Sequence, residues 1–188
     1  MKKIYFVTTN KLKLAIANNI LNKQGIEVEN VAIETPEIQA FTSKEVVEYS
    51  AKYAFNKLNK PVIKTDVEYC IKSLCGFPGP YIKYINKWLT AQEILSLMKG
   101  KKNRTMLITE FLSYYDGKLL NTFSTSISCK ISEKIYDDTT GTAFDKITVR
   151  KGFSKPQNLL SALELESLLS SQMTLWKEFA EFLLTKKL

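Results

Sequence analysis

The chain has 188 residues, 45% of them hydrophobic and 24% charged, which suits one globular domain whose core needs no disulfide or metal staple. It contains no histidine, and Cys70, Cys75 and Cys129 lack metal-ligand spacing, which excludes a Cys–His zinc site and a histidine general base. The net charge of +8 comes from scattered lysines, and the clusters Lys101-Lys102 and Lys186-Lys187 are not interleaved with aromatics, so no nucleic-acid partner is expected.

In chain order, Met1-Lys2-Lys3 leads into a first strand, Ile4 to Thr8, rather than a signal peptide. No apolar run approaches the ~18 residues of a membrane span, so a cytoplasmic protein without a membrane partner is expected. Leu12, Ala15, Ile16 and Ile20 fall at helical spacing and predict a helix from about Lys11 to Lys23, stopped by Gly25. A strand around Val28 to Ile33 follows. Thr42-Ser43-Lys44-Glu45 reads as a capping box opening a helix to about Leu58. Pro61 to Asp66 reads as a buried strand ending at an acid, and Gly76 to Pro80 as a rigid loop. Tyr81 to Leu89 is expected to be helical. A second capping box, Thr90 to Glu93, opens a helix ending at Gly100. Arg104 to Tyr115 and Leu119 to Ile131 are β-rich and joined at Asp116-Gly117, a hairpin signal. A strand is expected over Lys146 to Arg150, then helix from Leu159 to Thr185 in two pieces broken near Ser170-Ser171. Strands alternating with helices, then a hairpin, predict an α/β fold with a mixed, twisted central sheet flanked by helices.

Ligands of such sheets bind beyond the carboxyl ends of strands. Two of these ends carry polar residues. Thr8, Thr9, Asn10 and Lys13 lie between the first strand and first helix, where free N–H groups and the helix dipole attract phosphate. The same residues also read as an N-cap followed by a solvated face. Glu37 and Asp66 could hold Mg²⁺, which takes few carboxylates and completes its shell with water and phosphate oxygens. They also read as turn acids.

Further motifs join these. Val62-Ile63-Lys64-Thr65-Asp66 is followed by Gly76-Phe77-Pro78-Gly79-Pro80-Tyr81-Ile82-Lys83. Thr8-x-Asn10-x-x-Lys13, Pro36-Glu37-Ile38-Gln39 and Phe144-Asp145 flank them in order. Over residues 1 to 150 the chain resembles the inosine triphosphate pyrophosphatase family, particularly its eukaryotic-type members. The resemblance implies a single domain over 1–188, two-lobed with a cleft, that hydrolyses deaminated purine nucleoside triphosphates such as ITP and XTP to the monophosphate and pyrophosphate. It implies Mg²⁺ as cofactor and a homodimer. Thr8, Thr9, Asn10 and Lys13 would hold the triphosphate. Glu37 and Asp66 would hold the metal, with Asp66 also acting on the attacking water. Phe144 would stack on the base beside Asp145, and the Pro78 to Tyr81 loop would shape the cleft.

The sequence departs from that pattern at specific places. Thr65 replaces the first acid of the family's acidic pair, leaving Asp66, which either weakens the metal site or shifts the load to Glu68. Glu48 to Ala54 is a loose counterpart of the family's Glu-Asn-Ala-x-x-Lys-Ala helix. Thr142-Ala143-Phe144-Asp145-Lys146 lacks the glycine and proline of its motif. Ser171-Gln172-Met173 stands where the family has Ser-His-Arg, so Ser171 and Gln172 are the remaining substrate-binding candidates there. A purine O6 is usually read by a donor, and without the arginine the base preference is open. The alternatives are a degenerate member that binds nucleotide without turnover, a Maf-type pyrophosphatase lacking its Ser-x-Ser-Pro-Arg opening, and a nucleic-acid binder.

Overall fold

Lys2–Val7 buries Ile4, Phe6 and Val7, and in the computed structural model it forms an inner strand, β1. The structure describes residues 2–137 and 140–186, with the side chains of all of these except 166–172. β1 pairs in parallel with β2 (Ile26–Val31) on one side and β3 (Val62–Ile71) on the other. With β5 (Thr105–Tyr115), β6 (Leu120–Ile131) and β7 (Thr148–Arg150) the sheet order is β2-β1-β3-β5-β6-β7. The two-residue strand β4 (Pro78–Gly79) pairs antiparallel with β3, and β7 antiparallel with β6, so the sheet is mixed as expected. The helices are α1 (Lys11–Leu21), α2 (Ser43–Leu58), α3 (Ile82–Trp88), α4 (Ala91–Leu97) and α5 (Ala162–Thr185). None among the described residues is long and apolar enough to cross a membrane.

The chain divides into two compact units. The first comprises Met1–Asp66, Glu110–Thr125 and Ser170–Leu188; the second comprises Val67–Thr109 and Ser126–Leu169. The first has a core of Ile4, Phe6, Leu21, Ile63, Trp176 and Phe179, with Phe6 and Trp176 edge to face at 5.5 Å. The second is built on Ile71, Ile94, Met98, Met106, Ile131 and Phe144.

Local signals decide the helix starts. Thr42 and Thr90 each accept from the N–H three residues on, while Glu45 and Glu93 bond back to the cap N–H, so both capping boxes form. Gly25 ends the α1 region in the left-handed conformation, after a short 3₁₀ turn over Asn22–Gln24.

The structure corrects several boundaries. β3 does not end at Asp66 but continues to Ile71, because Tyr69 and Cys70 find partners in Gly79 and Pro78, and the Ile71 N–H donates to Phe77 O at 3.0 Å. β7 starts at Thr148, since Phe144–Lys146 forms a 3₁₀ turn. α5 is one helix rather than two, and the boundary between the units falls within it at Ser170. Leu12 and Leu163 are exposed at 69% and 78%; the buried stripe of α1 is Ala17, Ile20 and Leu21.

The β5–β6 hairpin carries a polar clamp. Asp116 accepts from the N–H groups of Lys118 (3.0 Å) and Leu119 (2.8 Å). It also takes the Lys186 ammonium, which bonds Tyr114 Oη at 3.1 Å. Burial raises the pKa of Asp116, but the Leu119 N–H, Lys186 and the Lys118 N–H outweigh it and hold the carboxyl well below its usual range. For Lys186, burial works downward and the bonds to Asp116 and Tyr114 outweigh it. A depressed carboxyl pKa stabilises the fold above its unfolded value and loses that contribution as pH falls; a raised lysine pKa stabilises below its unfolded value. The clamp is therefore fully effective between about pH 4 and pH 10 and weakens in acid. Asp116→Asn is expected to cost about 1.5–3 kcal/mol at neutral pH and to flatten the acid limb of stability in urea melts across pH. An unchanged acid limb would show that other carboxylates set it.

Gly117 in the same turn has φ 92°, and a Cβ there would run into the ring of Phe55. Gly117→Ala combines a disfavoured conformation with overpacking and is expected to lower stability by about 1–3 kcal/mol, readable in the same melts.

Candidate functional site

Parallel pairing brings three segments to one end of the first unit's sheet. The β1–β2 register runs to Val7 opposite Val31, and the β1–β3 register reaches Phe6 opposite Ile63. Thr8-Thr9-Asn10 and the 32–42 segment carrying Glu37 therefore follow the carboxyl ends of β1 and β2, where α/β sheets bind ligands, and Lys64-Thr65-Asp66 run alongside within β3, just past its pairing with β1.

Asn10 is the N-cap of α1. Its Oδ1 accepts from the N–H of Leu12 (3.0 Å) and of Lys13 (3.1 Å), and its own N–H donates to Thr8 Oγ1 at 3.1 Å. The capping reading is thus correct, and it leaves the Asn10 Nδ2 donor for a ligand. Thr9 and Asn10 are exposed, while Thr8 and Lys13 are half-buried. The Lys13 ammonium turns back to the sheet, 3.5 Å from Thr65 O.

Lys64 and Asp66, two apart on β3, face the same side. The Lys64 ammonium donates to Thr35 Oγ1 at 3.0 Å, which ties β3 to the segment bearing Glu37. Burial, then the neighbouring Lys13, lower its pKa, while Asp66 and Glu37 work against the fall. Lys13, Lys64, Glu37 and Asp66 are therefore electrostatic neighbours. Thr65 keeps its Oγ1 buried and without a hydrogen-bond partner among the described residues. Glu110, on β5 within the same unit, is half-buried; burial raises its pKa and Lys13 opposes the rise.

Among the described residues no group of three or more His, Cys, Asp or Glu could cage a metal by itself. Glu37 and Asp66 around the shared neighbour Lys64 are a donor set of two carboxylates, which fits Mg²⁺ when substrate phosphates and water complete the shell.

A sequence profile of the Ham1 family matches residues 4–166. The chain belongs to the Ham1 family. The resemblance to inosine triphosphate pyrophosphatases carried by the motifs is thereby borne out. A dITP/XTP pyrophosphatase of Thermococcus kodakarensis is 32% identical, covering 96% of this chain and 97% of that protein. One from Saccharolobus solfataricus is 30% identical over 96% of this chain and 93% of its own length. The Ham1 fold is seen in the Staphylococcus aureus Ham1 protein, with TM-score 0.80 at 19% identity over 99% of this chain and all of that one. A HAM1 protein from Coxiella burnetii gives TM-score 0.82 at 16% identity with the same coverage.

The remaining candidates of this Ham1 chain stand elsewhere. Phe144 is 1% exposed, its ring edge-on to Tyr69 at 5.5 Å and its N–H bonded to Asn86 Oδ1 at 3.3 Å. It serves the second unit's core and presents no open face for stacking. Asp145 Oδ2 accepts from the Thr142 N–H (2.7 Å) and hydroxyl (2.8 Å), fixing that turn. Glu68, the alternative to the missing acid at position 65, is buried in the second unit; burial and then Glu68 raise the pKa of the Cys70 thiol. Ser171 and Gln172 lie in α5, but their side chains fall outside the described ones. An open groove of 1040 Å³ in the second unit, lined by Lys99, Lys101, Lys102 and Lys134 among others, contains none of the expected residues. Its Arg104 is committed to the carbonyls of Ile131 and Ser132, at 2.7 and 2.5 Å.

Sequence reading missed Lys64, Thr35 and Glu110. A signal existed for Glu110, the one charged residue of β5, whereas Lys64 does not stand out in β3, which also carries Asp66 and Glu68.

Asn10 offers a separable test of cap and ligand roles. Asn10→Asp keeps the capping oxygen, so stability is expected to hold within about 0.5 kcal/mol, whereas Asn10→Ala loses about 1 kcal/mol. If Nδ2 meets phosphate, Asn10→Asp weakens nucleotide binding about tenfold or more, because a donor becomes a negative acceptor. Equal nucleotide affinity in Asn10→Asp and wild type would confine Asn10 to capping.

Proposed function

We propose that the chain is a nucleoside triphosphate pyrophosphohydrolase acting on deaminated purine nucleotides such as ITP and XTP, with Mg²⁺ as cofactor. The observation that carries the reading is the convergence of Lys13, Lys64, Glu37 and Asp66 beside the carboxyl end of β1. Near full-length similarity to dITP/XTP pyrophosphatases supports it.

In the proposed reaction water attacks the α-phosphorus. The bond from that phosphorus to the bridging oxygen breaks, and the products are the nucleoside monophosphate and pyrophosphate. The Asn10 Nδ2 group and the Lys13 ammonium bind the chain of phosphates at the start of α1, a placement that suits the helix dipole. Asp66 orients the attacking water and takes its proton on a carboxylate oxygen. Glu37 and Asp66 hold the cation. Charge neutralisation at the leaving pyrophosphate and a lowered pKa for the attacking water are the contributions of Mg²⁺ when bound. The base preference follows the relatives' names, because the Ser171-Gln172-Met173 stretch lacks the family's His and Arg. The α3 region exposes Tyr81 at 40% and Trp88 at 66%, an apolar face that suits the proposed homodimer.

Release of pyrophosphate from ITP, XTP, dUTP, ATP and GTP, with and without Mg²⁺, tests the proposal. Mg²⁺-dependent release is expected, greatest for ITP or XTP, and Asp66→Asn is expected to lower kcat by about 10²–10⁴-fold with the fold retained. The buried, unpartnered Thr65 hydroxyl, where the family has an acid, favours a second reading: nucleotide binding without turnover. No release from any nucleotide by folded protein would establish that second reading over the first.

A further inference from the structure

We infer that Lys64 is a second polyphosphate-binding residue of this site, a fixed positive charge that lowers the site's dependence on the divalent cation. The inference rests on the phosphate-binding reading of the first unit. The relevant observation is an exchange of charge within one stretch of β3. The resemblance expects two acids at positions 65 and 66. This chain has Thr65, whose hydroxyl is buried and unpartnered, and brings an ammonium from Lys64 to the same side of the strand as Asp66. A neutral residue replaces a metal-attracting carboxylate, and a cation stands beside the remaining one.

The ammonium's position follows from its contacts. Lys64 donates to Thr35 Oγ1 at 3.0 Å, and its other charged neighbours are Lys13, Asp66 and Glu37. It is therefore held among the groups proposed to meet phosphate and cation. A hydrogen bond to a neutral hydroxyl leaves the ammonium two further donors. The neighbouring Lys13 repels it, so two half-buried cations share a small region until a polyanion arrives. Bridging phosphate oxygens between Lys13 and Lys64 converts that repulsion into two charge-assisted hydrogen bonds. Neutralisation that the usual acidic pair obtains through a bound cation is here supplied partly by the chain.

A structural alternative has Lys64 acting only as a tether, holding the Glu37 segment through Thr35. The experiment separates the two. Binding of inorganic tripolyphosphate is measured by calorimetry in EDTA, and the Mg²⁺ concentration for half-maximal pyrophosphate release from ITP is measured separately. Wild type, Lys64→Met, Lys64→Arg and Thr35→Val are compared, with circular dichroism as the folding check. Lys64→Met is expected to weaken metal-free tripolyphosphate binding by about tenfold or more and to raise the half-maximal Mg²⁺ concentration several-fold. Lys64→Arg and Thr35→Val keep the charge and are expected to bind tripolyphosphate within about threefold of wild type. Should Lys64→Met fail to fold, a loss of tripolyphosphate binding in Lys64→Arg equal to that in Asn10→Asp would overturn the charge role.

Unchanged binding and unchanged Mg²⁺ requirement in folded Lys64→Met overturn the inference while leaving the hydrolase reading intact. A loss in Thr35→Val as large as in Lys64→Met overturns it in favour of the tether. Lys64-dependent tripolyphosphate binding without hydrolysis of any nucleotide supports the inference and removes the hydrolase reading.

Discussion

Parallel pairing of β1 with both β2 and β3 is the constraint on which the site depends. It sets Val7 opposite Val31 and Phe6 opposite Ile63, so three chain segments reach the same end of the first unit's sheet together. Parallel strands need covered faces. The cover comes from α1 and the later part of α5, whose Ala17, Leu21, Trp176 and Phe179 are all buried with Ile4, Phe6 and Ile63. The residues past the end of β1 and the polar stretch of β3 beside them can therefore carry charge while the preceding residues of both strands are packed in hydrocarbon. Lys64 stands at that junction, one residue past buried Ile63 and two before Asp66.

The same end of the sheet shows how local structure and ligand chemistry share residues. Asn10 caps α1 with one atom of its amide and leaves the other available. Lys64 orders the Glu37 segment through Thr35 while remaining charged toward its neighbours. Such double use explains why either reading of these residues, structural or functional, is incomplete by itself. The hairpin clamp at Asp116, Tyr114 and Lys186 ties Lys186 to the end of β5.

What could be read from the sequence was what is decided locally. Both capping boxes, the Gly25 stop and the Asp116-Gly117 turn depend on residues within four positions of one another, and all form. The parallel order of β2, β1 and β3 does not follow from such signals, and neither does the length of β3, since its partner β4 is a two-residue strand inside a glycine- and proline-rich loop. Phe144 was legible as an aromatic beside an acid, but sequence does not tell a stacking ring from a core ring, and packing against Tyr69 decides it. Lys64 passed unnoticed because its partners Thr35 and Lys13 are distant in the chain, so only folding brings them together.

The central claim is that polyphosphate binds beyond the carboxyl end of β1, beside Lys64 and Asp66 of β3, and the most direct measurement is a crystal structure with a non-hydrolysable ITP analogue and Mg²⁺. The account predicts phosphate oxygens against Asn10 Nδ2 at the start of α1 and within hydrogen-bond reach of Lys13 and Lys64, with the cation between Glu37 and Asp66. Phosphates bound instead in the lysine-lined groove at Lys99, Lys101 and Lys102, with the β1–α1 junction unoccupied, would contradict it.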